Sequence, residues 1–98
     1  MRYFVAENGD GGDSVDWVYA EDPNEAARLA ASEFYEICGR APPKGVYDLS
    51  VMAPDGTLTR HAVLVEWEPT FRAHQAAGQV PEGTAAKLRA RAAEKGTP

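Results

Sequence analysis

The sequence predicts an α+β fold: a single ββαββ domain with a mainly antiparallel four-stranded sheet and one helix packed on one face. Three observations predict it. Four segments alternate apolar and polar residues at strand period, and one segment between the second and third repeats apolar residues at helical spacing. The 98 residues are enough for one core and too few for two. Residues 1–70 are expected to form this domain. Residues 71–98 are expected to form a linker and a basic, alanine-rich tail with a short mobile C-terminal helix.

Residues 2–7 alternate and hold Tyr3, Phe4 and Val5, which favours the first strand. The run Asn8-Gly9-Asp10-Gly11-Gly12-Asp13 reads as a turn, because these residues tolerate positive φ or bond their own backbone. From Ser14 to Ala20, Val15, Trp17 and Tyr19 are expected on one strand face, with Asp16 and Val18 on the other. Such a glycine-rich turn sets the register loosely.

The strongest local signal is Asp22-Pro23-Asn24-Glu25. Asp22 is placed to cap the amide at the third helical position, and Glu25 to reach back to the cap. Pro23 suits the first helical position, where no amide donor is needed. The helix should run to Cys38 and stop at Gly39. Ala26, Leu29, Ala30, Phe34, Ile37 and Cys38 would form its apolar stripe. Cys38, the single cysteine, reads as a structural thiol.

Pro42-Pro43 marks a loop before strand three, Val46 to Ala53. Pro54-Asp55-Gly56 makes a tight turn into strand four, Thr57 to Trp67. A three-residue loop places Thr59, His61, Val63 and Val65 beside Leu49 and Val51. A four-residue loop places Arg60, Ala62 and Leu64 there instead. Residues 62–65 are apolar on both faces, which suits a central strand. Pro69 should end the sheet, and strand one or three is the expected free edge.

Charge is uneven. Residues 1–68 carry 13 acids against 5 bases, and residues 69–98 carry 2 against 5. The net charge is −5. Seven acids and no base lie between Tyr3 and Ala27: Glu7, Asp10, Asp13, Asp16, Glu21, Asp22 and Glu25. Such a surface repels nucleic acid and attracts basic protein surfaces, including grooves built to hold nucleic acid. The expected partner-binding residues are Asp10, Asp13, Asp16, Trp17, Glu21, Asp22, Glu25 and Tyr35, with Trp17 or Tyr35 as the aromatic anchor; the plainer readings are an acidic face that serves solubility and a Trp17 that belongs to the core.

No phosphate-cradling glycine loop, nucleophile elbow or His-Glu-x-x-His motif occurs. The Asn8–Asp16 acids lack the spacing of a calcium loop, and His61, His74 and Cys38 make a poor zinc set. No catalytic residue, metal or cofactor is therefore expected. An enzyme would need a concave pocket holding His61 beside a carboxylate. No apolar run approaches the ~18 residues of a membrane span. Glu7 comes too early for a signal-peptide core, so the chain reads as cytoplasmic and not membrane-bound.

The run from Val18 to Ala27, followed by Ala53-Pro54-Asp55-Gly56-Thr57, resembles small accessory proteins of bacterial phages and prophages. Anti-CRISPR proteins are one group among such small acidic α+β chains. The resemblance covers residues 1–70 in element order. It implies a non-enzymatic inhibitor in the bacterial cytoplasm that blocks a nucleic-acid-binding groove by acidic mimicry. The partner would be a bacterial protein with a basic surface, met by a monomer or homodimer. The alternative is a nucleic-acid-associated regulator that uses the basic tail (Lys87, Arg89, Arg91, Lys95).

Overall fold

The computed structural model describes residues 1–8, 14–38, 45–66 and 70–94, with the backbone alone at 14–17 and 37–38. Strands β1 (Arg2–Glu7) and β2 (Ser14–Tyr19) precede helix α1 (Pro23–Cys38), and β3 (Val46–Met52) and β4 (Leu58–Glu66) follow it. Beyond Pro69 come a fifth strand, β5 (Thr70–Gln75), and helix α2 (Glu82–Glu94). The fold is therefore α+β, but its sheet has five strands in the order β2-β1-β3-β4-β5, all neighbours antiparallel.

The fifth strand corrects the four-stranded expectation. A proline withholds one amide donor and closes a ladder only at its own position. After Pro69, Phe71, Ala73 and Gln75 alternate with Arg72 and His74, and the run pairs along β4 from His61↔Gln75 to Glu66↔Thr70. The free edges are consequently β2 and β5, whereas β1 and β3 are interior.

The β3–β4 turn takes the three-residue form. Ala53 N donates to Thr57 O at 2.9 Å and Gly56 N to Ala53 O at 2.9 Å. Gly56 supplies the left-handed conformation at φ 93°, as this turn-and-bulge geometry requires. Leu49 then pairs with His61 and Val51 with Thr59. In the first hairpin, Tyr3 pairs with Val18 but Val5 with Val15, so β2 holds one residue more than β1 over this stretch. That irregularity interrupts the regular pairing between Val15 and Val18, while Val18 and Tyr19 alternate as expected. Val18 is buried and Tyr19, its neighbour, is exposed.

Each helix takes one sheet face. α1 carries the chain across from β2 to β3 and covers Tyr3, Val5, Val18, Tyr47, Leu49, Val51 and Val63. Its buried stripe is centred on Ala26, Ala27, Ala30, Ala31 and Phe34, with Leu29 only partly buried. The stripe is rotated from the expected one toward Ala27 and Ala31. α2 lies on the opposite face against β1 and β3, joining Leu88 to Phe4, Ala6 and Met52. Leu88 is only 1% exposed, so the segment expected as a mobile tail contributes a second, smaller core.

Candidate functional site

Asp22 begins α1 as its cap. Its Oδ1 accepts from Glu25 N at 2.8 Å and its carbonyl from Ala26 N at 3.1 Å. The first bond satisfies a donor that a helix start leaves without an intrahelical partner, and the second is the first bond of the helix itself. Glu25 makes no return bond to the cap among the described residues, so only the Asp22 half of the expected reciprocal cap forms.

Glu21 and Asp22 are exposed at the β2–α1 corner, and Glu25 is half-buried one turn on. Glu33 and Glu36 extend the acidic set along the helix exterior, with Arg28 the single base of α1. The N-terminus is tied to the same corner, since the Met1 amine donates to Ala20 O at 3.1 Å. Tyr19 stands 68% exposed on edge strand β2, immediately before this corner.

The other expected site residues separate from this group or fall outside it. Tyr35 is half-buried and packs edge-on against Phe71, with ring centroids 5.9 Å apart at 73°. Asp16 and Trp17 lie on β2 by their backbone, and their side chains are outside the described residues. Asp10 and Asp13 are outside them altogether, as is the side chain of Cys38. No group of three His, Cys, Asp or Glu residues among the described residues is arranged to hold a metal ion.

Two acids on the strands of the opposite face, Asp48 and Glu66, are paired within the fold. Asp48 holds Arg60 side-on, taking Nε at 3.0 Å and Nη2 at 2.6 Å. Asn8 Nδ2 donates to Asp48 Oδ1 at 2.7 Å, while the buried Ser50 hydroxyl donates to Asn8 Oδ1 at 2.6 Å. The Arg60 bond holds the Asp48 carboxyl below its ordinary range, helped by Asn8 and opposed by partial burial. Glu66 similarly pairs with Arg72 at 3.2 Å.

His61 is 1% exposed beneath the start of α1. Asn24 Nδ2 donates to Ala73 O at 2.7 Å, which leaves Asn24 Oδ1 as the acceptor facing His61 Nδ1 at 3.2 Å. The proton is therefore assigned to Nδ1, and Nε2 accepts from the Thr59 hydroxyl at 2.8 Å. Burial lowers the imidazole pKa, a shift that Asp22 opposes and His74 reinforces. Both ring nitrogens are engaged by neutral partners, and the cluster ties α1 to β4 and β5. Asn24 was not foreseen; a helix-start Asn facing a strand His leaves no local sequence signal.

Among the described residues no helix is long and apolar enough to cross a membrane. Compared with known family models, curated proteins and solved structures, the chain finds no match.

Proposed function

We propose that this chain is a non-enzymatic binding protein whose β2–α1 corner and outer α1 surface engage a basic protein surface. One observation carries the reading. Asp48 and Glu66 on the α2 side are paired with Arg60 and Arg72, whereas Glu21, Asp22, Glu25, Glu33 and Glu36 make no ion pair among the described residues. Acids without local counter-ions project a field that speeds encounter with a basic partner and fixes orientation. Asp10, Asp13 and Asp16 would add to that charge, and the exposed Tyr19 gives it an aromatic contact. The partner chemistry that fits is a groove of lysines and arginines made for nucleic acid. Occupying such a groove would inhibit its owner, the role implied by the resemblance to phage accessory proteins, anti-CRISPR proteins among them.

The test is affinity capture from bacterial lysate with the parent and with the triple variant Glu21→Lys, Glu25→Lys, Glu36→Lys. Asp22 is kept because it caps α1. The expected result is a nucleic-acid-handling protein retained by the parent, released by raised salt and absent from the variant. Equal recovery by both baits, with the variant still folded, contradicts the mechanism. Nucleic acid alone held by both baits transfers the function to the basic tail.

A further inference from the structure

A cleft lies on the other side of the sheet, between the start of β4, the end of β5 and the flank of α2. Its volume is about 540 Å³, within the range of small-ligand sites, and Arg60, Gln75, Gln79, Glu82 and Arg89 line it. Glu82, Ala85 and Arg89 recur at spacings of three and four, so one stripe of α2 forms a wall. Arg89 also lines a second recess of about 250 Å³, bounded by Phe4, Met52, Pro54 and Ala92, with Asp55 at its turn end. Ala92 continues the same helical stripe, and Arg89 borders both recesses.

The Arg60 guanidinium on the other wall is held in place. Asp48 fixes two of its nitrogens, Asn8 fixes Asp48, and Ser50 fixes Asn8. The third nitrogen, Nη1, reaches only a 3.4 Å contact with Gln79 O at the cleft. Its geometry is thus set from behind while one edge stays available, which is how a binding cation is preorganised. Arg89 is exposed and makes no ion pair among the described residues.

We propose that this groove binds a free α-amino acid with an apolar side chain. Arg60 and Arg89 take the carboxylate, Glu82 takes the ammonium group, and the side chain lies toward Met52 and Ala92. Glu82 decides against a polyanion: a phosphate or nucleic-acid strand would meet its carboxylate at the same wall. The site is independent of the acidic α1 surface, which lies across the sheet.

The experiment is an amide NMR titration of the full chain with L-leucine. Two matched probes accompany it: 4-methylpentanoate, which lacks the ammonium, and isopentylamine, which lacks the carboxylate. Leucine should shift the amides of Gln79, Glu82 and Arg89 saturably, with each truncated probe about tenfold weaker or more, as loss of a charge-assisted bond implies. Arg89→Gln, at an exposed position, should keep the fold and lose leucine binding by a similar factor. Glu82→Gln should narrow the gap between leucine and 4-methylpentanoate. The proposal is overturned by three results: no saturable shift with leucine, an unchanged response in Arg89→Gln, or equal shifts from inorganic phosphate.

Discussion

The two faces of one sheet are built on different terms. Under α1 lies a continuous apolar layer, from Tyr3 and Val5 through Leu49 and Val51 to Val63, sealed by four alanines and Phe34. Its one buried imidazole has both nitrogens satisfied. Under α2 the apolar layer shrinks to Phe4, Ala6, Met52 and Leu88. Beside it runs the polar chain Ser50–Asn8–Asp48–Arg60. Area removed from water sets the size of the hydrophobic contribution. The first face therefore holds the domain together, and the second holds α2 to it. The charge pattern follows the same division. The acids of the sheet's α2-side strands, Asp48 and Glu66, are paired with arginines, whereas those on α1 and at its start have no ion pair among the described residues.

The largest expected effect comes from the α1 face. Leu49→Ala should cost about 2–5 kcal/mol and lower the urea midpoint of the whole domain in one transition. Separate transitions for sheet and α1 would break the claim of a shared core. Leu88→Ala should cost about 2 kcal/mol, at the low end of that range because the surrounding cluster is small. Its signature is loss of α2 helicity while the β-sheet signal and the buried environment of Phe34 persist. Global unfolding by this variant would make the two faces equal.

Acid should act through His61. Its folded pKa lies below the unfolded value of about 6.5, so as pH falls the unfolded chain takes up this proton first. Stability is full above pH ~6.5 and declines as pH falls toward the depressed folded value, by at most about 1.4 kcal/mol per unit for this group. Urea titrations from pH 7.5 to 5 measure this limb, and His61→Gln should flatten it. A parent profile as flat as that of His61→Gln would contradict the buried neutral assignment. The smallest effect is Asp22→Ala, about 1 kcal/mol from loss of the cap. It should appear as faster amide exchange at Glu25 and Ala26, with α2 unaffected.

Much of the α1 face was legible in the sequence, because its signals are local. Asp22-Pro23 starts the helix, Pro54-Asp55-Gly56 closes the hairpin, and strand alternation marks the buried side. The α2 face was less legible. Its helix shows one large apolar residue, Leu88, among alanines, and burial of a single leucine depends on Phe4 and Met52, more than thirty residues away. β5 was hidden behind Pro69 and by its polar outer side, Arg72 and His74. The polar clusters depend on register. Ser50 pairs with Arg60 only with the three-residue turn, and the Arg60–Asp48 bond is the diagonal contact that this register creates. The candidate surface divides likewise. Glu21, Asp22 and Glu25 are adjacent in sequence and stay together, while Tyr35 turns inward on Phe71. Tyr19 alternates with the buried Val18 and stands opposite Arg2 on edge strand β2; alternation separates the two sides, but it does not say which side α1 covers.

The inequality of the two faces is tested most directly by native-state hydrogen exchange under increasing denaturant. The amides of Ala30, Ala31 and Val51 should exchange only through global unfolding. The amides of Leu88 and Arg89 should exchange through a smaller opening of lower free energy, with a weaker denaturant dependence. One common free energy for all five amides would contradict the account and make α2 part of the same cooperative core.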